Sequence, residues 1–485
     1  MTFPPVLDVD WSALAPALAL LVTAAVTLFF ALFHKDSRHV AITALIGVVT
    51  AFLFALARFL EPGEQVASFG LRYYGDTMAL AFTFIILLGT ALAILVSYDQ
   101  LKRQDLDRPE YYPLMLLSAL GAVIMASSGD LITLVLGLEI MSLPVYVLSA
   151  WRTRDRQSEE AGMKYCLLGA FGSAMLIYGI ALLYGAGGTF VFEGLAQSLA
   201  GGQLTVLATL GGALVLVGLG FKASMAPFHQ WAPDVYTGAP TPVVTFMSVV
   251  IKVGAFAALL RVVAVVFPQL SPWLITALAV IVAATLIIGN LSALMQRGVK
   301  RILAYSAVAH AGYLGLALLA PDHGGIPAAA FYLTAYALMN AGAFAVLSLM
   351  TDANDRGDDL DRFAGLGAKR PWLAATLTFF LLSLGGIPPL AGFAGKVLVF
   401  QAVIEAGWYW LAVLGILTSV VALVYYFRII AYMYFRESEY EAPSTRSTAT
   451  NVAIAVALVG TLLFGLFPGL WHDLLNVGQT FIAGF

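Results

Sequence analysis

Four ionisable side chains stand inside long apolar runs of this 485-residue chain. Glu139 lies in Leu136-Gly-Leu-Glu-Ile-Met, and Lys222 closes Val215-Leu-Val-Gly-Leu-Gly-Phe-Lys. Lys252 is centred in Ser248-Val-Val-Ile-Lys-Val-Gly-Ala-Phe, and Lys396 follows Ala391-Gly-Phe-Ala-Gly. A charge at mid-bilayer costs roughly 2.5–3.5 kcal/mol on the insertion scale and by default marks an ion or proton route. Low-dielectric surroundings favour neutral lysine and neutral glutamate, whereas approach of the two restores both charges. A Lys–Glu pair whose spacing or hydration changes can therefore release or capture a proton near neutral pH. Glu139 with Lys222 is the first candidate for such a pair. A buried ion pair that merely fixes helix register would explain any one of these residues. It does not explain the set, because one glutamate cannot neutralise three lysines.

Further residues could extend a relay. His310 lies mid-run in Ala304-Tyr305-Ser306-Ala-Val-Ala-His-Ala-Gly-Tyr313, beside hydroxyls able to hold water, and His229 follows Lys222 by seven positions. Histidine exchanges protons at physiological pH, but a lone histidine on a membrane helix is as often a packing residue. Lys164 can snorkel to the interface instead of relaying. Tyr336, Asn340 and Asn290 either line a wet path or join helices by hydrogen bonds. Other motifs fail on context. Gly218-Leu-Gly-Phe-Lys-Ala223 matches a dinucleotide fingerprint but follows no strand. Gly395-Lys396 resembles a phosphate-loop end with Val397 in place of Ser/Thr. One cysteine, Cys166, excludes an internal disulfide and a cysteine-ligated cluster. The chain is expected to hold no cofactor, metal or redox site of its own.

These residues must be positioned by membrane helices. The chain is 61% hydrophobic and 11% charged, far from the usual roughly 25% charged of soluble domains. A net charge of −3 argues against nucleic acid as a partner. Crossings of about 20 residues are expected at 12–33, 40–60, 76–97, 112–128, 130–150, 162–185, 204–226, 240–266, 271–294, 301–320, 327–351, 371–405, 410–436 and 450–468. The N-terminus has no basic n-region, so the first run is expected to persist as a span rather than a cleaved leader. Nineteen of 25 Lys/Arg residues cluster after odd-numbered spans, among them Lys35, Arg152, Lys300, Arg301, Arg356 and Arg446. Only Arg58, Arg72 and Arg261 fall on the other side. The odd-to-even loops are thus expected to be cytoplasmic and both termini to face the opposite side of the membrane. Two spans are punctuated alike, by Pro227 and Pro233 after Lys222 and by Gly385-Gly-Ile-Pro-Pro389 before Lys396. Interrupted spans at corresponding positions point to inverted repeats. The expected fold is a single all-α polytopic membrane domain, 1–485, of about 14 helices. Helices 1–3 occupy 1–111, the first five-helix repeat 112–266, the inverted second repeat 271–436, and the last helix and C-terminus 450–485.

The run Gly218-Leu-Gly-Phe-Lys-Ala-Ser-Met-Ala-Pro227-Phe-His-Gln-Trp-Ala-Pro-Asp234-Val-Tyr-Thr-Gly-Ala-Pro240-Thr-Pro242, with Leu303–Tyr313 and Leu384–Lys396, resembles the antiporter-like membrane subunits of respiratory complex I, the NADH:quinone oxidoreductase. The resemblance spans essentially the whole chain. It implies a proton-translocating role for Glu139, Lys222, Lys252 and Lys396, with His229, His310, Lys164 and Tyr305 as candidate relays. It also implies a non-redox subunit of an enzyme complex. FMN, iron–sulfur clusters and quinone would reside in partner subunits, and neighbours would include antiporter-like subunit M and small subunits such as K within the lipid bilayer. Moving a proton against ~150 mV costs about 3.5 kcal/mol, so the energy must come from those partners. A cation/proton antiporter subunit and a subunit of a membrane-bound energy-converting hydrogenase are the alternatives.

Overall fold

A computed structural model describes residues 9–33, 36–60, 67–200, 206–352, 355, 358–437 and 447–469. Lys35, Arg356, Arg446 and both chain ends lie outside them. The helices are α1 (Trp11–Phe33), α2 (Ser37–Leu60), α3 (Thr77–Arg103), α4 (Tyr111–Ala126), α5 (Leu131–Ser149), α6 (Arg156–Gly187), α7 (Phe192–Ala200), α8 (Val206–Lys222), α9 (Trp231–Gly238), α10 (Thr241–Phe246) and α11 (Lys252–Val265). They continue with α12 (Pro272–Leu294), α13 (Val299–Leu318), α14 (Gly325–Met350), α15 (Leu366–Lys369), α16 (Pro371–Gly385), α17 (Ala391–Glu405), α18 (Tyr409–Phe435) and α19 (Thr448–Leu466). Among the described residues ten helical stretches are long and apolar enough to cross a membrane, counting α10 through α11 as one, and the chain is a multi-pass membrane protein. Shorter apolar helices, including α4, α8 and α16, complete the bundle.

Each expected span meets a helix, with differences at the ends. The third continues to Arg103 and the sixth begins at Arg156, because polar end turns still form helix where they face the interface. The fourth and fifth are separate. Asp130 caps α5, its carboxylate accepting from the Thr133 N–H at 2.6 Å, as short polar side chains do at helix starts. A two-residue hairpin, β1 (Ala67–Ser68) with β2 (Tyr73–Tyr74), lies on the same side, and Tyr73 bridges to Ser128.

Two elements are wholly enclosed, the α10–α11 stretch and α14. They form the centre, with apolar faces of α1, α2, α6, α18 and α19 turned outward. Between α10 and α11 the backbone makes a π turn, Met247–Ile251, ending at Lys252. Such turns are rare and concentrate at functional sites.

Candidate proton path

The first broken helix is built from α8 and α9. The chain leaves α8 at Lys222, passes Ser224 with φ 61° and a cis Ala226–Pro227 bond, and re-enters helix at Trp231. Helix interruption strands carbonyl groups. Here the Trp231 indole N–H donates to the Phe221 carbonyl at 2.9 Å, and the Ala226 N–H donates to Thr285 Oγ1 at 2.9 Å. Lys222 is 3% exposed and enters an aromatic box. Its Nζ lies 5.0 Å from the Tyr146 ring centroid and 4.8 Å from that of Tyr165, and it donates to the Tyr146 hydroxyl at 3.4 Å. Ring faces attract cations, so the box accommodates the ammonium without a counter-charge in contact. Among the described residues no carboxylate reaches Lys222 within ion-pair distance. Glu139 stands on α5, two turns before Tyr146. One oxygen of Glu139 is buried and finds no hydrogen-bond partner among the described residues.

The second break, between α16 and α17, carries a cis Pro388–Pro389 bond and closes differently. Gly386, with φ +86°, ends α16 in the left-handed conformation that glycine adopts without steric cost. The Gly386 N–H donates to Ser383 O at 2.9 Å and the Ile387 N–H to Leu382 O at 3.0 Å, the paired bonds of a Schellman end. Lys396, one turn into α17, reaches back and donates to Gly385 O at 2.9 Å and to Ser419 Oγ at 2.8 Å. A Cβ on Gly386 would come within 3.2 Å of Lys396 Nζ, so the glycine leaves room for the ammonium. The lysine that precedes the first break thus follows the second, yet both sit against it.

Lys252 lies between them, 2% exposed. It donates to Ala307 O at 2.5 Å and lies 5.6 Å from the Tyr336 ring. His310, on the same helix as Ala307, is 2% exposed, with both ring nitrogens on hydroxyls: Nδ1 to Tyr332 at 2.7 Å and Nε2 to Tyr426 at 3.3 Å. Tyr426 continues to Ser306 Oγ at 2.5 Å. A neutral imidazole has one donor and one acceptor nitrogen and hydroxyls serve as either, so this group can accept a proton on one side and release one on the other. A second thread runs from the Tyr425 hydroxyl to Asn290 Oδ1 at 3.2 Å, then from Asn290 Nδ2 to the Tyr313 hydroxyl at 3.4 Å. Tyr313 presents its ring to Lys396 at 4.8 Å. Among the described residues Tyr336 Oη, both amide atoms of Asn340 and Tyr165 Oη are buried and find no hydrogen-bond partner. Buried polar groups of this kind are normally completed by internal water.

The other expected relays are placed less centrally. His229 is buried in the first break, its Nδ1 without a partner, with its ring 6.4 Å from that of half-buried Tyr305. Lys164 is 39% exposed and bridges Glu160 at 2.6 Å and Asp234 at 2.7 Å. Asp234 also pairs with Arg301 at 3.0 Å. This polar mouth encloses about 140 Å³, and Lys164 lies in it rather than in the hydroxyl network.

Two of the charges counted toward orientation are buried and paired. Arg261 is 1% exposed on α11 and clamps Asp76 by two bonds of 2.8 and 2.9 Å. Lys300 is 2% exposed and 2.7 Å from Asp355. Asp355 also meets Arg152 at 3.0 Å and accepts from the Thr241 N–H and hydroxyl at 2.8 and 2.7 Å. Burial pushes this carboxyl upward, but Lys300, Arg152 and the Thr241 bond outweigh it and hold it at about 2. Sequence reading also missed Tyr146, Tyr165, Tyr332, Tyr426 and Ser419. Tyrosines in apolar runs read as ordinary core, and only their three-dimensional meeting with lysine or histidine distinguishes them.

Buried, uncompensated lysines at paired helix breaks define an antiporter-like membrane subunit, and the chain belongs to the family described as NADH:quinone oxidoreductase/Mrp antiporter, whose model matches residues 128–422. Within that family it is similar to subunit N of NADH-quinone oxidoreductase. The subunit of that name from Desulfovibrio desulfuricans is 43% identical over 481 residues, covering 95% of each chain. A chain of respiratory complex I from Thermus thermophilus with bound aureothin superposes with a TM-score of 0.80 at 38% identity, covering 94% of this chain and 98% of that one. A chain of the membrane-bound sulfane sulfur reductase, an archaeal respiratory membrane complex, shares the fold at TM-score 0.86 and 26% identity, covering 98% of both. Among the described residues no group of three or more His, Cys, Asp or Glu could hold a metal ion.

Proposed function

We propose that this chain is a proton-translocating, non-redox membrane subunit of NADH:quinone oxidoreductase, passing protons along Glu139, Lys222, Lys252 and Lys396. The supporting observation is that all three lysines are at most 4% exposed and, among the described residues, none touches a carboxylate. Fixed ammonium charges in that setting are costly, whereas lysines that gain and lose protons as neighbouring charges and waters rearrange are not permanently so. In this reading the energy originates in electron transfer from NADH through FMN and iron–sulfur clusters to quinone in partner subunits, since nothing in this chain's own residues supplies it.

The subunit would sit in a bacterial inner membrane with both termini periplasmic, beside antiporter-like subunit M and small subunits such as K. Glu139 supports that placement. It is half-buried on a face of α5 where Leu136 and Leu143 are 56% and 59% exposed. A carboxylate there requires a protein neighbour rather than lipid. The mouth formed by Lys164, Asp234 and Arg301 is the cytoplasmic approach in this reading. The second break, with Pro388 and Pro389 exposed next to Lys396's carbonyl partner, is the release side. Helices 112–266 and 271–436 would act as the two inverted repeats.

The test is to replace Glu139 or Lys222 with alanine in the intact complex and measure NADH-driven acidification of inverted membrane vesicles. Assembly should be retained and pumping lost. Normal pumping in both variants overturns the assignment. The shared fold favours a second reading, a cation/proton antiporter or energy-converting hydrogenase subunit. That reading would be supported by cation-driven proton movement in vesicles without NADH.

A further inference from the structure

The opposite end of the first half is closed by a layer of charge that the proton path does not use. Arg261 lies nine residues beyond Lys252 on α11, about 13.5 Å along the axis at ~1.5 Å per residue and half a helical turn around. It therefore faces α3 and α4 rather than Ala307 and Tyr336. Its Nη1 and Nη2 donate to the two oxygens of Asp76 at 2.8 and 2.9 Å, and Nη2 also donates to Ala126 O at 3.2 Å. Asp76 Oδ1 additionally accepts from the Ala79 N–H at 2.7 Å, as the cap of α3. The guanidinium stacks 4.9 Å over the Tyr74 ring, and the Tyr74 hydroxyl donates to Glu193 Oε1 at 2.6 Å. Arg261 and Asp76 side chains are 1% and 2% exposed.

Two physical facts set this pair apart from the lysines. Arginine does not deprotonate in proteins, and the Asp76 carboxylate is held on both oxygens by the guanidinium and on Oδ1 also by a backbone N–H. A fully buried ion pair is also poor evidence for a stabilising role, because well-packed apolar replacements are often as stable. What the pair offers is a fully buried, charge-neutral contact that ties α11 to the start of α3 and the end of α4.

We propose that Arg261 and Asp76 form a proton insulator that seals the periplasmic side of the first half, so that release is confined to the second half beside Lys396. They are positioning residues and take no part in the transfer itself. The inference rests on the proposed translocation and orientation. If Lys222→Ala and Glu139→Ala vesicles pump normally, that reading fails whatever the seal does.

The seal is tested on the intact complex in proteoliposomes. Passive proton leak is followed after an acid jump, with potassium and valinomycin clamping the potential, alongside NADH-driven pumping and NADH oxidation. Arg261→Ala leaves a protonatable Asp76 beside new space and is expected to raise the leak several-fold while NADH oxidation continues. If that variant does not assemble, Arg261→His, which restores a titratable group, gives the same reading. The paired apolar replacement Asp76→Leu with Arg261→Met is expected to be as tight as the native complex and to pump normally. An assembled Arg261→Ala or Arg261→His complex with native tightness overturns the insulator. So does loss of pumping in an assembled, tight Leu/Met pair, which would make the ion pair part of the transfer.

Discussion

The two halves of the chain hold their lysines in opposite ways. Lys222 is wrapped by the rings of Tyr146 and Tyr165, with a single 3.4 Å bond to a hydroxyl, while the broken helix satisfies its own carbonyl through Trp231. Lys396 is itself the group that satisfies the broken helix, through Gly385 O at 2.9 Å, and it has a second short bond to Ser419. Around the first lysine, unpartnered polar atoms remain at Glu139 and Tyr165. Around the second lies the hydroxyl, imidazole and amide network of Tyr332, His310, Tyr426, Tyr425, Asn290 and Tyr313. One broken-helix device thus holds a lysine in two ways, loosely among ring faces in the first break and tightly against backbone carbonyl and hydroxyl in the second.

The joint between the halves is where the largest change is expected. Asp355 connects Arg152 and Thr241 of the first half with Lys300 of the second. Asp355→Asn strands buried cations and should cost about 3–5 kcal/mol of stability, read as thermal unfolding of the detergent-solubilised complex. Its carboxyl lies at about 2, below the usual 3.8. A lowered carboxyl contributes stability above its unfolded value and loses it as pH falls through the folded one. The native and Asn variants should therefore differ by a constant amount between about pH 5 and 8, draw together as the pH falls below about 4, and stop changing only below the folded value of about 2. Native-like stability in the variant would show that the halves are not joined there.

Next in size is a contrast between the breaks. Gly386→Ala places a Cβ in a left-handed residue and against Lys396, and should cost roughly 1–2 kcal/mol as well as slowing pumping. Ser224 already tolerates φ 61° in the first break, so Ser224→Gly should leave pumping near the native rate. Equal effects would erase the distinction. Smaller still, Tyr146→Phe keeps the ring and removes one long hydrogen bond, whereas Tyr426→Phe removes the hydroxyl shared by His310 and Ser306. With a net ~1 kcal/mol per hydrogen bond, the second should slow pumping several-fold and the first less than twofold. The smallest effect is expected for Lys164→Ala. Exposed ion pairs contribute about 0–1 kcal/mol, so pumping should change little, and a severe loss would make Lys164 a proton relay rather than only a wall of the mouth.

Much of this was legible in the sequence because the bilayer makes charge and proline conspicuous. Glu139, Lys222, Lys252 and Lys396 stand out against apolar neighbours, and both breaks announce themselves through proline and glycine. The π turn before Lys252 gave no signal, since Met247-Ser-Val-Val-Ile251 contains neither residue and tertiary packing alone selects that backbone. In the sequence Asp355 is one of several acids in a polar stretch, and Arg261 counts only toward orientation. Their burial depends on partners at Thr241 and Asp76, more than a hundred residues away in sequence. The hydroxyl partners of His310 were hidden for the same reason, as Tyr332 and Tyr426 come from two other helices.

The most direct measurement is the number of protons moved per NADH oxidised by the intact complex carrying Lys252→Arg, a substitution that keeps the positive charge but removes the ability to release a proton. If buried lysine titration carries the protons, the assembled complex should oxidise NADH with a lower proton yield than the native enzyme. An unchanged yield would mean that Lys252 serves only as a fixed charge, and would contradict translocation through the lysine row.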